Sequence, residues 1–161
     1  MMRTSSADIW DFYNKGGWIV ITTNIGWKED GHNPMGAGIA KAAAAIAPDL
    51  PKWYGSLCQR YKESTAVVPY IPARMILFPT KPLNKTQPWL SWNGDSDLKL
   101  IEKSTRQLQE LITILRSREL LISEIGLPMP GCNNGHKDPV DVLPILQEYL
   151  DDKFIVFTRL N

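Results

Sequence analysis

The segment Trp18-Ile19-Val20-Ile21-Thr22-Thr23 is a continuous, largely β-branched run with no polar alternation. A strand of that kind has no face to show to water, so it belongs inside a parallel or mixed sheet covered on both sides. The rest of the chain supplies the cover. Ile9 to Asn14 has apolar and aromatic residues at helical spacing and stops at Gly16-Gly17. Gly38 to Ala47 is dense in alanine, the best helix former, and ends before Pro48. A further helix is predicted from Pro51, a residue suited to a first turn, to about Lys62.

Ala66 to Val68 and Arg74 to Phe78 read as two more strands, divided by Pro69 and Pro72. Pro79 to Gly94 is a long irregular segment carrying Trp89 and Trp92, of the kind that often serves function. Asp95 is expected to cap a long amphipathic helix whose apolar stripe is Leu98, Ile101, Leu108, Leu111, Ile112 and Leu115. Leu120 to Ile125 is predicted as a strand, Pro128 to Asp138 as a loop, Pro139 to Leu150 as a helix and Phe154 to Phe157 as a last strand. Strands alternating with helices imply an α/β fold with helices on both faces of the sheet.

Composition narrows what such a fold can do. Apolar residues make up 43% and charged residues 22%, which excludes a disordered or fibrous chain. Eighteen Lys and Arg against seventeen Asp and Glu leave a formal charge of +1. With no global pull on anions, any phosphate has to be held by local geometry. No apolar run approaches the ~20 residues that span a bilayer, and the start, Met1 to Asp8, is too polar for a signal peptide. Cys58 and Cys132 are too few for a disulfide framework, so a reducing, cytoplasmic setting is expected. His32 and His136 lie far apart in loops, and no metal site is implied.

Ligands of open α/β sheets bind beyond the carboxyl ends of strands. Two loops here leave predicted strand ends, carry glycine and asparagine, and lead into helices. The first closes with Met35, Gly36, Ala37, Gly38, Ile39 and Ala40; the second contains Gly131, Cys132, Asn133, Asn134 and Gly135. Glycine lets backbone approach a bulky anion, and a following helix turns its unbonded N–H groups and positive dipole end toward it. One Gly-x-Gly before a helix is equally a tight packing point or a plain turn, and this is neither a P-loop nor a complete dinucleotide fingerprint. Two such loops, each after a strand, favour a diphosphate.

Three strings in order resemble the macrodomain family: Ile19-Val20-Ile21-Thr22-Thr23-Asn24, Met35-Gly36-Ala37-Gly38-Ile39-Ala40, and Leu127-Pro128-Met129-Pro130-Gly131-Cys132-Asn133-Asn134-Gly135. The Met35 to Ala40 string is similar to the branch that removes ADP-ribose from acidic side chains and from nucleic acid. The resemblance spans nearly the whole chain. It implies one macrodomain over residues 1–161, a three-layer fold with a mixed central sheet between helices, and a cleft for ADP-ribose.

Carried over by position, the resemblance implies that Asp8, with Ile9, accepts a hydrogen bond from the adenine amino group; the residues alone equally make Asp8 a helix cap. Thr23 and Asn24 end the first strand, with Asn24 orienting the distal ribose. Met35 to Ala40 and Pro130, Gly131, Cys132, Asn133, Asn134 and Gly135 form the phosphate loops. Phe78-Pro79-Thr80-Lys81 is similar to the segment that bears the catalytic lysine of DNA-directed antitoxin macrodomains. Lys81 is therefore either a solvated charge or a catalytic amine, acting as nucleophile or stabilising the departing group. Cys132 reads as a packing residue, not a nucleophile.

The chain departs from the pattern in places. Trp27-Lys28-Glu29-Asp30-Gly31-His32 lengthens the first loop, and Asn133 replaces a common glycine. Gly135 stands where the protein-glutamate branch has its catalytic aspartate, which argues against a lysine-plus-aspartate mechanism. His136-Lys137-Asp138 replaces the usual Gly-Leu-Asp. The expected activity is hydrolysis of the bond between ADP-ribose and a nucleic acid, protein or small-molecule acceptor, by a monomer that uses no cofactor. Its rivals are a non-catalytic reader of ADP-ribose or another NAD-derived nucleotide, and an ADP-ribose 1″-phosphate phosphatase.

Overall fold

A computed structural model of the protein describes residues 1–121 and 123–159. Its centre is a six-stranded sheet built from β1 (Arg3–Ser5), β2 (Trp18–Asn24), β3 (Val68–Tyr70), β4 (Met75–Lys81), β5 (Ile125–Pro128) and β6 (Phe154–Phe157), in the order β1-β6-β5-β2-β4-β3. Only β3, at one edge, runs antiparallel among these strands. The helices are α1 (Ile9–Asn14), α2 (Gly38–Ile46), α3 (Leu50–Tyr61), α4 (Leu98–Ser117) and α5 (Pro139–Tyr149).

The two central strands show why both faces are covered. Alternate residues of a strand point to opposite faces. Ile19 and Ile21 of β2, with Met75 and Leu77 of β4, pack against Ala43, Leu50 and Tyr54 of α2 and α3 and against Ile9 and Tyr13 of α1. Val20, Ile76 and Phe78 face the other way, onto Ile101, Leu108 and Ile112 of α4 and Val142 and Leu146 of α5. The result is three layers, helices on a mixed sheet on helices. No helix among the described residues is long and apolar enough to cross a membrane.

Several boundaries differ from the sequence reading. Asp97, not Asp95, caps α4, its carboxylate accepting from the Lys99 amide at 2.9 Å. The strand expected over Leu120 to Ile125 lies instead at Ile125–Pro128. Leu120 belongs to the end of α4: Glu119 takes a left-handed φ of 57°, and the Leu120 amide bonds back to the Leu115 carbonyl at 2.9 Å, a Schellman closure. Ile122, within the expected strand, lies outside the described residues.

β3 sits two residues later than expected, because the Val67 amide is taken by Gln107 Oε1 at 3.1 Å and not by the ladder. Pro69 lies inside β3, which an edge strand tolerates. β4 runs on through Pro79 to Lys81, past the last residue paired with β3. β1 is an added strand that the polar start concealed; it pairs with β6 from Arg3 opposite Ile155 to Ser5 opposite Phe157.

Candidate functional site

β2 and β5 are parallel neighbours, Trp18 opposite Ile125. Their carboxyl ends therefore lie side by side, and the two glycine loops start from adjacent points. They meet. A β-carbon on Gly38 would stand 3.0 Å from Asn134 Nδ2, and Gly38 has a φ of +57°, which a residue with a side chain resists. The second loop is folded tightly over the segment before α4: a β-carbon on Gly135 would come within 2.0 Å of Ser96 Oγ and 2.6 Å of the Gly131 carbonyl oxygen.

The amides of these loops are the chemical resource. α2 begins after Ala37 with no side-chain cap, and the first backbone amide there to find a backbone acceptor is that of Lys41, to Ala37 O at 3.2 Å. In the second loop the internal bonds draw mainly on carbonyls: Gly135 O accepts from Ser96 N at 3.0 Å and Gly131 O from Lys137 N at 2.8 Å, while the Cys132 amide makes a long turn bond of 3.4 Å to Met129 O. Among the described residues no protein group takes the amides of Asn134 and Gly135.

Between the loops opens a cleft of about 970 Å³. It brings together Asp8, Ile9, Thr23, Asn24, Met35 to Ala40, Lys81, Gly131 and Asn133 to Gly135. Pro130 and Cys132, assigned to the second loop from sequence, do not line it. Pro130 is buried beneath the loop. Cys132 turns toward the α4 and α5 core, its thiol donates to Pro130 O at 3.5 Å, and burial pushes its pKa up to about 11, leaving an unreactive thiol at neutral pH.

Asn24 and Lys81 are paired across β2 and β4, just after a register shift at Thr23 and Asn24. Irregularities of that kind re-aim side chains at strand ends. The Asn24 carboxamide spans the base of the first loop: Nδ2 donates to Pro34 O at 2.8 Å, and Oδ1 accepts from Gly26 N at 3.0 Å and Asn33 Nδ2 at 3.1 Å. Lys81 Nζ donates to Trp92 O at 2.6 Å. Burial lowers its pKa, and the Asp95 carboxylate works in the opposite direction. Asp8 caps α1 by accepting from the Trp10 amide at 2.9 Å while facing the cleft. Thr23 turns its hydroxyl to Tyr54, the two oxygens 2.9 Å apart.

Further residues reach the cleft. Ser96 is 2% exposed, and its hydroxyl has no partner among the described residues. His136 lies next to Gly135 with Nδ1 2.9 Å from Asp95 Oδ1. Trp10, Lys28, His32, Phe157 and Arg159 also reach the cleft. Of the loop tryptophans, Trp92 lines it, Trp89 stands half-exposed elsewhere and Trp27 packs on the α2 and α3 core. No group of three His, Cys, Asp or Glu side chains among the described residues could hold a metal ion.

No family model matches the sequence, and no curated protein matches it. Among solved structures, the macrodomain of Thermus aquaticus DarG superposes with a TM-score of 0.73 over 98% of both chains, at 23% identity. The fold is that of a macrodomain. The macrodomain of Mycobacterium tuberculosis DarG gives 0.68 over 98% of this chain and 97% of that one, at 24% identity. Thermosipho africanus DarTG in complex with ADP-ribose gives 0.70 at 17% identity, all of this chain lying on 44% of that one. In this fold both glycine loops, Asn24 and Lys81 line one cleft.

Proposed function

We propose that this chain binds ADP-ribose in the cleft and hydrolyses the bond between the distal ribose and an acceptor. One observation carries the reading: the two glycine loops touch, Gly38 against Asn134, with amides left over at the start of α2 and in the second loop. Paired amide cradles at a helix start suit a diphosphate in a protein whose net charge is only +1. That Thermosipho africanus DarTG, of the same fold, is seen in complex with ADP-ribose supports the choice of ligand.

Asp8 reads the adenine amino group with the carboxylate that caps α1. Asn24 keeps one of its two amide hydrogens beyond the bond to Pro34, and gives it to the distal ribose. Lys81, opposite Asn24, acts at the anomeric carbon, either as an amine nucleophile or by stabilising the departing group. Gly135 supplies no carboxylate, which sets this site apart from a lysine-plus-aspartate one.

Calorimetry with ADP-ribose and an assay of ADP-ribose release from an ADP-ribosylated DNA oligonucleotide test the reading together. Binding with release is the expected result. Binding without release from that DNA, from an ADP-ribosylated glutamate ester or as phosphate from ADP-ribose 1″-phosphate leaves a reader. No binding ends the assignment.

Gly36→Ala isolates the cradle from the fold. A β-carbon at Gly36 meets nothing within 4 Å, so the folded state accommodates it and thermal stability is expected to stay within about 1 kcal/mol of the parent. The added methyl occupies the space through which a phosphate would approach, and ADP-ribose affinity is expected to fall about tenfold or more. Gly94→Ala, equally open but outside the cleft, is the control and should bind as the parent does.

A further inference from the structure

We propose that His136, oriented by Asp95, is the catalytic base that handles the water proton in this cleft. The proposal rests on the hydrolase reading above and adds to it a residue pair, 41 positions apart in sequence, that the fold joins at the cleft edge.

Three observations meet at His136. Its φ is +61°, a left-handed conformation that glycine adopts freely and a residue with a β-carbon adopts at a cost. The turn by itself does not account for an imidazole there, and strained positions concentrate where a side chain has work to do. The side chain lines the cleft beside Gly135. Its Nδ1 lies 2.9 Å from Asp95 Oδ1, and the two side chains are 70% and 68% exposed. An ion pair that exposed adds little stability, so the pair does not offset the strained backbone either.

What the pair does is fix the ring. An ionised carboxylate only accepts, so Asp95 places the neutral imidazole's proton on Nδ1 and leaves the Nε2 lone pair available as a base. The hydrogen bond from His136 holds the Asp95 carboxyl below its usual range, and the nearby charges of Lys137 and Lys81 act in the same direction. The amine and the imidazole thus flank one carboxylate.

The chemistry balances without a further reagent. Whether Lys81 first takes the sugar or only steadies the departing group, a water oxygen finally bonds to the anomeric carbon. If Lys81 takes the sugar first, the acceptor departs with the electron pair of its bond and takes the proton that the lysine nitrogen sheds; water then displaces that nitrogen. Otherwise water displaces the acceptor directly, the electron pair going to the leaving atom. His136 takes the proton that water loses and returns it to that leaving atom. ADP-ribose and the protonated leaving group result, and the imidazole is neutral again.

His136→Gly is the decisive variant because glycine suits the backbone at this position. Its thermal midpoint is expected to equal or exceed that of the parent, and its ADP-ribose affinity to stay within about threefold. Release of ADP-ribose from the ADP-ribosylated oligonucleotide is expected to fall about a hundredfold or more, with part of the rate restored by added imidazole. Asp95→Ala should lower kcat about tenfold and leave KM nearly unchanged, the mark of a positioning residue. Unchanged release by His136→Gly, a loss that imidazole does not restore, or a loss of ADP-ribose binding each overturns the assignment to the base. If the parent itself binds ADP-ribose but releases none from any probe, the hydrolase reading fails first and this proposal falls with it.

Discussion

Lys81→Ala is expected to cut release of ADP-ribose from ADP-ribosylated DNA by about a hundredfold or more while calorimetric affinity for ADP-ribose changes by no more than about threefold. The split follows from position. The lysine ends β4 opposite Asn24, and its amine is tied to the Trp92 carbonyl oxygen at 2.6 Å and to neither of the loops that would hold the diphosphate. Its burial lowers the pKa, so free amine is present at a lower pH than for a lysine in water, and the Asp95 carboxylate limits the drop. If the amine is the nucleophile, turnover rises as pH climbs toward that lowered pKa and levels off above it. Lys81→Arg, which stays charged, is then as inactive as the alanine variant. If the ammonium steadies the departing group, the parent loses rate over the same rise in pH and the arginine variant keeps part of it. Unchanged turnover in Lys81→Ala would remove the lysine from the mechanism altogether.

How much of this was legible in the chain depends on whether a signal is local. The buried strand at Trp18 could be read because its β-branched run repeats on both faces, Ile19 and Ile21 to one side and Val20 to the other. The glycine loops could be read because each lies between a strand and a helix. β1 could not: Arg3, Thr4 and Ser5 carry no apolar pattern and are ordered only by their ladder to β6. β5 was misplaced because Gly126 and Pro128 look like turn formers. Gly126 is a strand residue with Phe12 and Phe157 packed over it, each within 2.9 Å of where a β-carbon would be. Ser96 reaches the cleft, and Asp95 reaches His136 at its edge, from a segment distant from both glycine loops, and nothing in their own neighbourhoods announces it. Asp95 and Asp97 both fit the start of α4, and only the bond to Lys99 N settles which one caps it.

Asn33→Ala should cost about 3 kcal/mol, lowering the thermal midpoint by roughly 6–12 °C for a chain of this size. Asn33 stands in the lengthened first loop and is 1% exposed. Its Nδ2 donates to Asn24 O at 3.0 Å, Asn24 Oδ1 at 3.1 Å and Gly26 O at 2.9 Å, while its own Oδ1 has no partner among the described residues. One amide thus gathers oxygens from the strand end and from the loop that leaves it. The scaffold behind is rigid: Asn33 N donates to Pro51 O at 2.8 Å, and Gly55 of α3 sits so close that a β-carbon there would fall 2.0 Å from Gly31 O. A truncated side chain leaves buried acceptors unpaired in a wall that is held from both ends. Asn24 keeps its bonds to Gly26 N and Pro34 O but loses the third, so ADP-ribose affinity is expected to fall several-fold as well. Asn33→Asp separates donor loss from cavity formation. It is nearly isosteric, yet it turns oxygen toward oxygen, so urea denaturation should find it less stable than Asn33→Ala. The reverse order would mean that the loop is held by packing and that the amide hydrogens of Asn33 count for little.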